Sequence, residues 1–391
     1  MLTNKYISQK ISQLAPSPTL LLNAKAKEMQ SQGIPVLNLT AGEPDFDTPE
    51  VIRNAGIEAI QSGFSHYTQP EGILALREAI CEKFKADNNL HYTPTEVMAG
   101  AGSKGLLYVA FQTLCNKGDE VLLATPTWAT YIEQIKLAGA KPVLIRLTPP
   151  FRLTAKDVEK AITKKTKVLL INSPANPTGV MIETKELKKI ATLVIKHDIF
   201  VIADEIYEKL IYTSEHFAIA SLNEKIKKQT LTINGVSKAY AMTGWRLGYA
   251  GGPEEIINSM KALQSQIVSN PPSYSQKAAK VALQSDPKIV EHMRKEFDKR
   301  RKMGLKELQK IPQLTVIPPD GAFYFFISVE KLLGKQYKTA TEWCKALLKK
   351  EGVALVPGED FMSPGYVRMS FAVSQDDILA AIKKIKKFIT V

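Results

Sequence analysis

Through the centre of the chain, short runs of consecutive apolar residues alternate with longer stretches in which apolar positions recur at helical spacing. The runs are rich in β-branched residues and bounded by turn formers, so they read as strands. They are 118–124 (GDEVLLA), 141–147 (KPVLIRL), 167–172 (KVLLIN), 199–205 (IFVIADE), 229–235 (QTLTING) and 247–252 (LGYAGG). Between several of them lie amphipathic stretches such as 184–197 (TKELKKIATLVIKH). Strands alternating with helices predict βαβ units and a mostly parallel central sheet, with right-handed crossovers that place helices on both faces.

Further along, the pattern changes. Residues 274–310 read as one long polar helix. Short strands follow at 314–318 (LTVIP), 321–327 (GAFYFFI), 353–358 (VALVPG) and 366–372 (YVRMSFA), with helices at 338–352 and 375–389. This is an α+β arrangement, unlike the α/β pattern before it. The expected division is a large domain over 48–299 and a smaller one built from 1–47 and 300–391, because TPEVIRNAGIEAI opens a new helical region at Thr48. A length of 391 residues suits two domains.

Composition narrows the class without naming an activity. With 45% hydrophobic and 23% charged residues the balance is that of an ordinary globular protein. No apolar run reaches the ~18 residues of a membrane span. The opening MLTNKYISQK lacks the apolar core of a secretory signal. Cys81, Cys115 and Cys344 are far apart and form no CxxC, which argues against a disulfide framework or a zinc site and for a reducing, cytoplasmic setting. The histidines show no HxH or HExxH spacing, so no metal site is expected. The net charge of +13 is spread in pairs such as Lys164–Lys165 and Lys349–Lys350. Without an aromatic-plus-basic motif it reads as solvated helix faces, not as a nucleic-acid surface.

The candidate chemistry sits where strands end, which is where ligands bind in open α/β sheets. NSPANPTG (172–179) follows the strand KVLLI, and its prolines would fix Asn176 at the strand terminus. In FVIADEIYEKL, Asp204 follows four apolar residues at a strand end, where a buried carboxylate needs a cationic partner, and Tyr207 lies one helical turn on. In NGVSKAYAMTGWRLGYAGG (234–252), Lys238 and Arg246 stand among small and apolar residues. Such a lysine should have a depressed pKa and serve as a nucleophile, and the arginine offers a fork suited to phosphate. GAGSKG (100–105) precedes a helix and makes an anion site of backbone N–H groups. It also matches the dinucleotide fingerprint GxGxxG, with Glu120 near the spacing of a ribose-binding acid. Against that reading, TEVMA is a poor strand, Glu120 opens a strand instead of closing one, and nothing else suggests hydride transfer.

Together these clusters resemble the class I/II pyridoxal-phosphate aminotransferases of fold type I. The resemblance runs from PSPTLLLNAKAKEM and LTAGEPDFDTP through HYTQPEG, GDEVLLATPTWATY, NSPANPTG, DEIYEKL and SKAYAMTGWRLGY to GAFYFF, VALVPG and YVRMSFA. It is strongest to the bacterial aspartate aminotransferase subgroup. The resemblance implies that Lys238 is the Schiff-base lysine and carries the proton between the substrate α-carbon and the cofactor. Asp204 then pairs with the pyridinium nitrogen, while Asn176 and Tyr207 hydrogen-bond the phenolic oxygen. Trp128 stacks on the ring, and Arg246 with the backbone of Ser103 and Lys104 cradles the phosphate. Tyr67 reaches the phosphate of a neighbouring subunit, which implies a homodimer with shared active sites. Arg368 binds the substrate α-carboxylate as a bidentate pair, helped by Gly42 and Asn176. The small-molecule partners are amino and oxo acids, and neither nucleic acid nor membrane is expected.

The chain departs from the pattern in places. Gly235 stands where many members have a serine, so one phosphate hydrogen bond is missing or comes from Ser237. The stretch SNPPSYSQ lacks the arginine that animal and enteric enzymes use for the side-chain carboxylate. In the subgroup this chain resembles, a lysine after the glycine pair and Ser and Thr in the N-terminal segment do that task. Lys104, Ser17 and Thr19 match them. The expected reaction is aspartate with 2-oxoglutarate giving oxaloacetate and glutamate by a ping-pong mechanism. The alternative is a related activity on aromatic amino acids, kynurenine, alanine or prephenate. Ala15, where a basic residue accompanies prephenate use, weighs against the last. The DNA-binding regulators that share this fold carry a winged helix ahead of the first motif, which here begins at Pro16–Ser17.

Overall fold

A computed structural model of the chain describes residues 6–12, 14 and 18–390. Its strands, in chain order, are β1 (Leu37–Asn38), β2 (Val97–Gly100), β3 (Glu120–Thr125), β4 (Lys141–Arg146), β5 (Thr166–Asn172), β6 (Phe200–Asp204), β7 (Thr230–Gly235), β8 (Gly248–Gly251), β9 (Thr315–Ile317), β10 (Tyr324–Ser328), β11 (Val353–Ala354), β12 (Val356–Pro357) and β13 (Tyr366–Ser370). The first large sheet has the order β2-β8-β7-β6-β5-β3-β4. From β7 to β4 neighbours are parallel, and β8 runs antiparallel to both β7 and β2. The mostly parallel sheet is therefore as expected.

The alternation of side chains along each strand shows why these runs are apolar throughout. Val121, Leu123, Val168, Leu170 and Ile202 pack on one face, with Leu106, Phe111 and Met260 of covering helices. Leu122, Leu169, Ile171 and Val201 pack on the other, with Leu187, Ile190 and Val194 of the helix Thr184–Lys196. A sheet covered on both faces has no polar side to reveal an alternation.

Two expectations need correcting. TEVMA does enter a strand: β2 (Val97–Gly100) is buried along its whole length and pairs antiparallel with β8. The long polar helix of 274–310 is two helices, Ser273–Gln284 and Lys288–Leu308. Pro287 breaks it, since its ring disfavours helical backbone before it and it has no N–H to give. Ser285 is extended, and Asp286 Oδ1 instead accepts the Lys288 N–H at 2.9 Å.

The second large sheet is antiparallel, with the order β12-β13-β10-β9. Its core joins Phe323, Phe325 and Phe371 to Phe297, Trp343, Leu347 and Ile382. β1 pairs in parallel with β11, which ties the N-terminal segment to the C-terminal part of the chain. Among the described residues no helix is long and apolar enough to cross a membrane.

Directly beyond β6 lies a buried charge network that anchors the sheet's edge of chemistry. Glu208 meets Lys83 of the helix Leu74–Asn88 and accepts from Asn88 Nδ2 at 2.6 Å, and Glu205 faces His216 Nε2 at 2.9 Å. Burial works to raise the Glu208 carboxyl, but Lys83 and His216 overcome it and bring it to about 2. His216 is held above its ordinary value, because the pull of Glu205 outweighs burial. The Glu208 contribution to stability is present above its unfolded pKa and is lost as pH falls toward 2. That of His216 is present below its unfolded pKa and is lost as pH rises through the folded value. Lys83→Met is expected to cost about 3–5 kcal/mol in denaturant melts, because it strands a buried carboxylate. Lys83→Met/Glu208→Leu should recover most of that. Equal losses in both would show that Lys83 matters only as packing.

Candidate active site

The carboxyl ends of the parallel strands converge on one cavity of about 510 Å³. The register aligns Asn172, the last residue of β5, with Asp204, the last of β6. The Asn172 amide locks this corner: its Nδ2 donates to the Asp204 carbonyl at 3.0 Å, and its Oδ1 accepts the Asn176 N–H at 2.9 Å. A single side chain thereby fixes both the NSPANPTG loop and the acid beside it.

Asp204 lies almost fully buried at the floor. Tyr131 donates its phenol proton to Oδ2 at 2.6 Å, and the Ile206 N–H donates to Oδ1 at 3.2 Å. Burial nevertheless raises the carboxyl to about 6, with these hydrogen bonds and Lys238 acting to lower it. Lys238 follows β7 on the short helix Val236–Ala239, and its Nζ donates to the Gly42 carbonyl at 2.6 Å. Burial lowers this amine to about 8; Arg246 and Arg368 add to the depression, while Glu43 and Asp204 resist it. A lysine in this state supplies neutral amine near neutral pH.

On one side of Lys238, cationic groups gather at the start of the helix Ser103–Leu114. Gly102 precedes that helix with φ at 81°, and a Cβ there would meet Arg246 Nη2 at 2.5 Å. The glycine is what lets the guanidinium reach the helix N-terminus. Arg246, itself left-handed at φ 53°, donates from Nη1 to the Thr243 carbonyl at 2.8 Å. Lys104 is lowered from its ordinary value by desolvation and then by Arg246, and its Nζ stands 4.6 Å from the Trp128 ring centroid. Trp128 also meets Tyr131 edge-on, with ring centroids 5.3 Å apart. Ser103 Oγ donates to the Asn234 carbonyl at 2.7 Å. A Cβ at Gly235 would stand 2.5 Å from that Oγ, so Ser103 takes the space a serine at 235 would need. Ser237 lines the cavity.

On the other side stands Arg368 of β13, 2% exposed. Its Nη1 donates to Asn176 Oδ1 at 2.9 Å and its Nη2 to the Thr40 carbonyl at 2.8 Å. Its guanidinium lies 4.4 Å from the Tyr324 ring centroid and 5.0 Å from that of Phe361. Arg368 Nε is buried without a protein hydrogen-bond partner. Burial also raises the phenol of Tyr207 well above its ordinary value, and its hydroxyl lies 2.8 Å from that of Tyr324.

The structure thus brings together Gly42, Ser103, Lys104, Trp128, Asn176, Asp204, Tyr207, Lys238, Arg246 and Arg368 around one cavity. It does not bring Tyr67 there, whose side chain is 87% exposed. Ser17 lies outside the described residues, as does the side chain of Thr19. Glu120 is not at this site: it opens β3, bonded to Lys141 at 3.1 Å and Thr163 at 2.6 Å, which removes the ribose-acid reading of GAGSKG. Sequence reasoning missed Thr40, Glu43, Tyr131, Asn172 and Tyr324. All five fall inside quoted motifs, and for Asn172 its position at a strand end was the available signal.

Comparison with known proteins agrees with this geometry. Residues 34–385 match the family model for aminotransferase class I and II, and the chain belongs to that family. It is 45% identical over 387 residues to an aspartate aminotransferase of Bacillus sp. (strain YM-2), covering 98% of this chain and 99% of that one. It is 39% identical to an aspartate/prephenate aminotransferase of Thermus thermophilus, covering 97% of each. Among solved structures, a Thermus thermophilus aspartate aminotransferase with maleate superposes with a TM-score of 0.93 at 38% identity, over 97% of this chain and 99% of that one. The protein is an aminotransferase with a fold type I architecture.

Proposed function

We propose that this aminotransferase uses pyridoxal phosphate and interconverts aspartate and 2-oxoglutarate with oxaloacetate and glutamate in a ping-pong reaction. One observation carries the reading: a lysine whose amine is depressed by burial shares a single cavity with a buried carboxylate and a buried arginine. The residues present fit the cofactor. Arg246 and the backbone of Ser103 and Lys104 at the N-terminus of the helix Ser103–Leu114 converge as a dianion requires, with Ser237 beside them. Asp204 suits a protonated ring nitrogen, Trp128 suits a ring face, and Tyr207 with Asn176 Nδ2 suits a phenolic oxygen. When bound, the cofactor supplies the electron sink for charge left at the substrate α-carbon.

The chain's own groups do the rest. Lys238 would anchor the cofactor, and its amine would move the substrate α-proton. Arg368 receives the α-carboxylate, its fork already oriented by Asn176 and Thr40. Lys104 at the cavity rim favours a second carboxylate over an aromatic or methyl side chain.

The same reading makes the enzyme a homodimer, with Tyr67 serving the phosphate site of a second copy. Exposed Val51, Ile57 and Ile60 of the helix Glu50–Gln61 and exposed Tyr274 support it, because they need a covering surface. The division into 48–299 and 1–47 with 300–391 is supported by the two large sheets and the β1–β11 pairing. A cytoplasmic location is supported by three free cysteines, two of them buried.

An absorption spectrum tests the reading. A visible cofactor band should disappear on adding L-aspartate and return with 2-oxoglutarate. A band indifferent to aspartate would move the proposal to another amino donor, and a substrate panel with phenylalanine, kynurenine, alanine and prephenate would identify it. A protein that takes up no pyridoxal phosphate would overturn it.

A further inference from the structure

Tyr324 belongs to none of the roles above, yet it touches three of the groups that carry them. In the β10–β13 ladder Phe326 lies opposite Arg368 and Tyr324 opposite Ser370, so the side chains of 324, 326 and 368 share a face. The Tyr324 ring is fully buried and lies against the Arg368 guanidinium. Its hydroxyl meets that of Tyr207 at 2.8 Å. A Cβ at Gly42 would come within 3.2 Å of the same oxygen. The phenol is thus held by its face, by its hydroxyl and by the backbone of the segment whose carbonyl accepts from Lys238.

A pair of phenols shares one hydrogen bond, and which of them donates decides what the other can do. If Tyr207 donated to Tyr324, its only proton would be spent there. The cation against the Tyr324 ring favours the opposite direction, because it makes Tyr324 the stronger donor. Tyr207 then accepts from Tyr324 and keeps its own proton for the cavity. We propose that Tyr324 is a positioning residue: its hydroxyl orients the Tyr207 proton toward the cofactor's phenolic oxygen while its ring holds the substrate-binding face of Arg368. The two ends of the cavity are joined through one side chain. This rests on the pyridoxal-phosphate reading above.

Two variants of the cofactor-loaded enzyme separate the two halves of the proposal. In Tyr324→Phe the ring remains and the hydroxyl is lost. The pH midpoint at which the visible band changes should rise by about 0.5–1 unit, the size of one neutral hydrogen bond. Maleate, a dicarboxylate probe, should bind within about twofold of wild type. In Tyr324→Leu the ring is lost as well, the midpoint should rise similarly, and maleate should bind about 5- to 30-fold more weakly, as loss of a buried cation–π contact implies. If wild type titrates and Tyr324→Phe titrates identically, the inference is wrong while the function stands. It is equally wrong if Tyr324→Phe loses as much maleate affinity as Tyr324→Leu, since the hydroxyl and not the ring would then be holding Arg368. A wild-type protein that binds no pyridoxal phosphate overturns the function and the inference with it.

Discussion

Lys238→Ala is expected to reduce amino transfer by about 10⁴-fold or more while the protein melts as wild type does. Under the proposed function one side chain serves as anchor and as proton carrier, so no neighbour can take over both tasks. The groups around it do not have the chemistry: Arg246 and Arg368 cannot release a proton near neutral pH, and Asp204 is pinned by Tyr131 and the Ile206 N–H. Lys238→Arg keeps the charge and should be as inactive, because a guanidinium is never a neutral amine. Borohydride treatment followed by mass spectrometry gives a readout apart from turnover: wild type should retain the cofactor covalently on the peptide containing Lys238, and neither variant should. The fold should survive, since the amine makes a hydrogen bond to Gly42 but packs into no core. Near-normal turnover in Lys238→Ala would sink the assignment.

Much of this was legible along the chain for a physical reason. Strands buried on both faces must be apolar throughout, so β3, β5 and β6 announced themselves, and polar residues at their ends could only be there for a site or a turn. Asp204, at the end of β6, follows directly from that logic, whereas Lys238 stood out by its small and apolar neighbours. β2 was harder, because VMAG has little β-branched character; its place is dictated by β8, whose nearest paired residue, Gly248 opposite Gly100, lies 148 positions further along the chain. The break at Pro287 was written in the sequence, but the polar periodicity on both sides hid it.

The residues that sequence reasoning missed share another property: they act on site residues, not on ligand. Tyr131 and Asn172 hold Asp204, Thr40 and Tyr324 hold Arg368, and each partner lies far along the chain or across a strand register. Periodicity reports which face a residue occupies but not what meets it there. Gly235 illustrates the same limit. As a sequence departure it suggested a lost hydrogen bond, whereas the structure shows Ser103 Oγ standing where its side chain would go. The exposed Tyr67 belongs with these, because its partner under the dimer reading is not in its own chain.

Arg368→Leu should weaken every amino acid substrate, by about 10²-fold or more in kcat/KM, because under the proposed function it removes the buried charge that would pair with the one group all of them share. Part of that loss comes from the receptor itself. Arg368 is gripped by Asn176 and Thr40 and sandwiched near Tyr324 and Phe361, so its fork is already set before substrate arrives, and a flexible cation elsewhere cannot replace it. Lys104→Ala should behave differently. Its ammonium sits at the rim over Trp128 and has no role in holding Arg368, so it can discriminate only by what the substrate carries beyond the α-carboxylate. Aspartate and glutamate should lose about tenfold and alanine little, a difference read from the ratio of kcat/KM values. If alanine and aspartate suffer equally, Lys104 serves the phosphate or the fold, and selection for acidic side chains must come from elsewhere in the N-terminal segment.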